Sequence, residues 1–150
     1  MHMPDVRTLL PHAGAMILLD RVRSADEESL CAEVTIRSDG LFCTTDGVGA
    51  WVGIEFMAQA IGAYAGYAAR LRGEPVKIGF LLGARRYECN RSSFPVGALL
   101  KVYVRRILIG ESGLASFECR IDGDEGELAT ATLTVFQPAD VNEFLAGISG

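Results

Sequence analysis

Residues 47–73 read GVGAWVGIEFMAQAIGAYAGYAARLRG, and the fold follows from how this stretch is taken. From Trp51 to Leu71 nearly every residue is apolar or small. The run is too long for a strand and too uniform for a surface helix, so it predicts a helix buried on most sides. Gly73 and then Pro75 supply a stop. Before Arg70 only Glu55 and Gln59 carry strong polar chemistry, and their i, i+4 spacing puts them on one face. Apolar surroundings disfavour a charged carboxylate and raise its pKa. Glu55 is therefore either a working carboxyl or an acid at a helix start that reaches water or caps the first turn.

The segments around the helix alternate with a period of two. Leu30, Ala32, Val34 and Ile36 share one face, as do Leu100, Val102, Val104 and Leu108, then Ala115, Phe117, Cys119 and Ile121, then Ala129, Ala131, Leu133 and Val135. Met16 to Val22 and Lys77 to Cys89 read as two further strands, Ser38 to Gly47 as an irregular loop, and Ala139 to Ala146 as a short terminal helix. Half-apolar strands and one helix apolar nearly all round predict an α+β domain, an antiparallel sheet curled about one long central helix. No composition break or repeat divides residues 1–150, so one domain is expected.

The 150 residues carry a net charge of −5, which argues against a nucleic-acid binder. Glu55, Gln59 and the alternating strands argue against a membrane span, although the apolar run is long enough for one. Cys31, Cys43, Cys89 and Cys119 form no CxxC pair and no zinc spacing with His2 or His12, so no metal is expected. They read as reduced thiols and, with no secretory signal at the start, predict a cytoplasmic protein. Gly47-x-Gly49 with Gly53 misses the dinucleotide spacing by one residue, and no strand leads directly into it, so it reads as close helix packing.

Three stretches carry a resemblance: Leu10-Pro11-His12, Leu18-Leu19-Asp20-Arg21-Val22, and Glu55-Phe56-Met57-Ala58-Gln59-Ala60. Together they resemble the β-hydroxyacyl-[acyl carrier protein] dehydratase family, which has the hotdog fold. Gly49 to Glu55 and Gly79-Phe80-Leu81-Leu82-Gly83 are most similar to its aryl polyene branch. The resemblance implies elimination of water from a 3-hydroxyacyl thioester on acyl carrier protein, giving a trans-2-enoyl thioester. Such chemistry needs a base for the proton beside the thioester carbonyl, an acid for the departing hydroxyl, and a donor where enolate charge develops. It implies no resident cofactor, since the pantetheine arm arrives with the substrate, and a dimer with the site between subunits, expected here as a homodimer.

Carried onto this sequence, the resemblance makes Glu55 the acid and Gln59 its orienting neighbour. It puts the N–H of Ala50 at the thioester carbonyl. The family's histidine position, fourteen residues ahead of Glu55, holds Leu41, which cannot accept a proton. His12 either replaces that base or holds the loop before the first strand. Alternatively, a mixed dimer brings the base from its other subunit, or the tunnel only binds an acyl chain; an acyl thioesterase is also open. Phe42, Trp51, Phe80 and Tyr87 either line the tunnel or pack the core. Arg85-Arg86 either steer an acidic carrier protein to the tunnel mouth or form solvated strand ends.

Overall fold

The structure is a computed structural model that describes residues 3–10, 17–75, 79–110 and 113–137. The strands, in chain order, are β1 (Arg21–Ala25), β2 (Ser29–Thr35), β3 (Cys43–Thr44), β4 (Gly47–Gly49), β5 (Phe80–Cys89), β6 (Ser93–Phe94), β7 (Leu99–Ile109), β8 (Leu114–Gly123) and β9 (Gly126–Phe136). One α-helix, α1 (Gly53–Leu71), lies between β4 and β5, entered through a 3₁₀ turn at Ala50–Val52. Six strands make an antiparallel sheet in the order β1-β2-β7-β8-β9-β5.

The period-two pattern decides which face meets the helix. Val102, Val104, Ile121 and Leu133 are fully buried and share a core with Phe56, Met57, Ala60 and Ala63 of α1. Tyr103, Glu118, Arg120 and Thr132 alternate with them, on the face away from the helix. Each large apolar side chain buried this way contributes about 1.5–3 kcal/mol. The helix touches all six strands, so the sheet curls around it as expected.

The end of α1 is set by its glycine. Gly73 takes φ 71°, its N–H donates to the Arg70 carbonyl, and the Glu74 N–H reaches back to the Ala69 carbonyl at 2.9 Å. This pair of bonds satisfies carbonyls that a helix would otherwise leave orphaned.

Two expectations need correction. The first strand is Arg21–Ala25 rather than Met16 to Val22: Leu18 and Leu19 turn into the core, and the Leu18 N–H goes to a side chain of α1 instead of a ladder. The loop over 38–47 contains β3 and enters β4, and β4 pairs with both β3 and β6 in a second, three-stranded sheet. Of the strand read over Lys77 to Cys89, the described part is Phe80–Cys89, and residues 77 and 78 lie outside the described residues. The terminal helix read over 139–146 lies outside the described residues.

Candidate active site

Glu55 stands in the first turn of α1 and is partly buried. One turn on, Gln59 is almost wholly buried, at 3% exposure. Its Oε1 accepts the Leu18 N–H at 2.8 Å, and this fixes which way the amide faces. The Nε2 side consequently points at Glu55 and donates to its Oε1 over a long 3.4 Å. The i, i+4 pair thus meets as read, with a backbone donor from the segment before β1 locking it.

Glu55 lines a cavity of about 480 Å³ between α1 and the sheet. The helix wall is a stripe of small residues, Ala58, Gly62, Ala65 and Ala68, each only partly buried. Their spacing of three and four keeps them on one face, and their size leaves a trough where larger side chains would fill it. Ala115, Phe117 and Val135 form part of the facing wall. A carboxyl group at one end of an apolar trough can pass a proton to or from a bound chain.

The helix start is pinned from outside. Tyr87 on β5 donates its hydroxyl to the Ala50 carbonyl, and a Cβ on Gly53 would lie 2.2 Å from that phenol oxygen. Only glycine lets the tyrosine approach so closely. Burial pushes the Tyr87 phenol well above its ordinary range, so it stays a donor. Sequence reading took Tyr87 only as a tunnel or core aromatic, because its partner is 37 residues away.

Other expected site residues are placed differently. The Ala50 N–H donates to the Ser92 carbonyl at 3.0 Å, so both backbone groups of Ala50 are engaged within the chain and the expected vacant donor is not found there. Phe42 and Trp51 form an edge-to-face pair at 5.5 Å, with Trp51 65% exposed, outside the cavity that holds Glu55. Leu41, next to Phe42 in sequence, is exposed as well. Arg85 and Arg86 are both exposed on β5. Arg86, which takes φ 55°, faces a groove lined by Tyr103, Glu118 and Arg120, across the sheet from the helix rather than at the mouth of the Glu55 cavity. The Phe80 side chain and His12 lie outside what the structure describes.

Among the described residues no cluster of three or more His, Cys, Asp or Glu could hold a metal ion. No described helix is long and apolar enough to cross a membrane.

Comparison with known proteins agrees with this architecture. The ApeP-like family, described as ApeP dehydratase, matches residues 4–146. A solved structure of the dehydratase heterocomplex ApeI:P from Xenorhabdus doucetiae superposes with a TM-score of 0.90 at 30% identity, covering 99% of this chain and 100% of that one. A hypothetical thioesterase with coenzyme A from Streptococcus pneumoniae TIGR4 gives a TM-score of 0.61 at 13% identity, over 78% of this chain and 84% of that one. The protein smu.793 from Streptococcus mutans UA159, bound to acetyl CoA, gives 0.58 at 14%, over 77% and 86%. These two share the fold alone. No curated protein sequence matches. An acid at the head of an apolar trough, a six-stranded sheet curled about one helix, and a match over nearly the whole length lead to one assignment: the chain belongs to the ApeP-like family of hotdog-fold dehydratases.

Proposed function

We propose that this chain dehydrates 3-hydroxyacyl thioesters presented on acyl carrier protein, as one subunit of a dimer with a second hotdog chain. The observation that carries the reading is Glu55, aimed by Gln59 at the head of the apolar cavity. Glu55 protonates the departing hydroxyl, and the trough beyond it takes the acyl chain. No cofactor takes part; the pantetheine thiol stays on the substrate throughout. Elimination releases one water and leaves a trans double bond conjugated with the thioester carbonyl, the proton beside that carbonyl having passed to the base.

His12 is the base this chain itself offers, since Leu41 occupies the position where the family resemblance puts a histidine. A second reading, in which the other subunit contributes the base, is favoured by the heterocomplex nature of ApeI:P. The exposed β5 edge, with Leu81 and Leu82, is where that subunit pairs. The donor to the enolate oxygen comes from a group other than the Ala50 N–H.

The purified chain is assayed with a 3-hydroxyacyl carrier protein, alone and with a second hotdog subunit. Glu55→Gln is expected to lower the rate at least a hundredfold, the usual scale for losing a general acid. A Glu55→Gln variant working at the wild-type rate would rule out the assignment. His12→Ala separates the two sources of the base: it abolishes activity in the first case and spares it in the second.

A further inference from the structure

Phe42 and Trp51 neither line the Glu55 cavity nor join the core, yet both are held in place. Trp51 sits between Ala50, whose backbone groups are bonded to Ser92 and Tyr87, and Val52, which is fully buried. Its indole rests on Gly49, where a Cβ would lie 2.7 Å from Nε1 and push the ring away. Phe42 packs edge-to-face against the indole at 5.5 Å. The Phe42 backbone takes φ 69° there, a left-handed conformation unfavourable to any residue with a Cβ. Such strain persists where the surroundings fix it, and it gathers where ligands are held. The indole fixed in this way is nevertheless 65% exposed. Core packing does not account for it.

Its position does. Trp51 precedes Glu55 by four residues, through the 3₁₀ entry into α1. That is about one turn, or about 6 Å along the axis, and it puts the two on one face. The trough leaves Glu55 in the opposite direction, along Ala58, Gly62, Ala65 and Ala68. A thioester has two halves. With the acyl half in the trough and the reacting carbons at Glu55, the thiol half departs past the start of the helix. That half is a pantetheine arm, a chain of methylenes and uncharged amides. A flat aromatic face suits such a chain, since it covers the methylenes and leaves the amides at the water.

We propose that Trp51, braced by Phe42, is the platform on which the pantetheine arm lies, so that it positions the thioester at Glu55 by holding the arm rather than the acyl chain. The inference rests on the reading that Glu55 acts on a thioester whose acyl half occupies the trough. Trp51 is then a positioning residue: it touches the arm and sets where the reacting carbons stop.

The protein contains one tryptophan, so its intrinsic emission reports Trp51 alone. The folded chain is titrated with two thioesters that cannot react, butyryl-pantetheine and S-ethyl thiobutyrate, which share the acyl half and differ in the arm. Butyryl-pantetheine is expected to move the emission to shorter wavelength and to saturate, while S-ethyl thiobutyrate leaves it in place. Hydration of the matching crotonyl thioesters, the reaction run in reverse, is then measured with the chain alone and with a second hotdog subunit. Trp51→Ala should raise KM for crotonyl-pantetheine about tenfold, the scale of one aromatic contact, and change kcat less than about twofold. The advantage of the pantetheine thioester over the S-ethyl one should disappear with it. Trp51→Phe keeps a ring and should recover most of that advantage, and Phe42→Ala, which removes the brace, should fall between. Emission that ignores butyryl-pantetheine while crotonyl-pantetheine is hydrated overturns the proposal and leaves the dehydratase reading standing. An equal rise in KM for both thioesters in Trp51→Ala does the same. A shift to shorter wavelength on adding the second hotdog subunit without thioester, taken against Trp51→Phe in the same mixture, assigns the indole to the subunit contact and also overturns the proposal. Hydration of neither crotonyl thioester, alone or with the second subunit, overturns the dehydratase reading itself, and this inference falls with it.

Discussion

Glu33 and Gln59 are the two buried polar side chains among the described residues, and they answer to different needs. Gln59 holds Glu55, and the i, i+4 spacing made that contact legible in the sequence. Glu33 holds the sheet, and its partners were not legible, because strand register alone brings Arg21 opposite it. Arg21 Nε donates to one carboxylate oxygen at 2.9 Å and Arg23 Nη1 to the other at 2.8 Å. Burial alone would raise the pKa of Glu33, but the bonds to Arg23 and Arg21 outweigh it and hold the carboxyl below its ordinary value. A depressed folded pKa contributes stability that is full above the unfolded value, about 4.3, and is lost as pH falls through the folded one. Glu33→Gln is therefore expected to cost about 1–3 kcal/mol at neutral pH, towards the lower end because both arginine heads are exposed. Denaturant titrations of both proteins from pH 7 down to pH 2 check it, the gap closing only below the ordinary carboxylate range. The Ala50 N–H is the opposite lesson at this scale. Position within a motif suggested a vacant donor, but a carbonyl 42 residues on takes it, a contact that sequence proximity does not reveal.

For the elements, the long helix was legible because composition alone forces its burial, and its stop because Gly73 has few other uses there. Its entry was not. The turn Ala50–Val52 is 3₁₀ rather than α, and it is tied to β5 through Tyr87 and to the loop before β6 through Ser92. Glu55 is two residues into the α-helix, so the direction of its carboxyl depends on these ties. Tyr87→Phe removes one donor and leaves the ring in place. We expect a loss of about 0.5–1.5 kcal/mol in thermal or chemical denaturation. A larger effect is expected on kcat than on KM for dehydration, because the variant misaims the acid without touching the trough. A Tyr87→Phe protein with unchanged kcat would show that the turn holds its shape without the phenol. The first strand was misread for a related reason: an apolar run satisfies a strand pattern, but here it turns into the core, one of its amides bonded to Gln59.

For the whole molecule, the sheet leaves two edges, β1 and β5, and they differ in kind. β1 is a five-residue strand exposing Arg21, Arg23 and Ser24, the charged, short form that resists further pairing. β5 is ten residues long, and Leu81 and Leu82 are 42% and 57% exposed on it. A long edge with exposed leucines is a liability in a lone chain and an asset in a dimer. The alternating pattern foretold the sheet, but not its strand order: β5 follows the helix in sequence yet ends up beyond β9, a consequence of the crossover that no local pattern encodes. Leu82→Asp tests whether this edge is an interface. Its side chain is more than half exposed, so the charge should cost the isolated subunit less than about 0.5 kcal/mol. In an interface the same charge is buried against the second subunit, and association is expected to weaken at least a hundredfold. Sedimentation at micromolar concentration then shows the wild type as a dimer, or as a mixed dimer with the second hotdog subunit, and the variant as a folded monomer. A variant that stays dimeric places the interface elsewhere than the β5 edge.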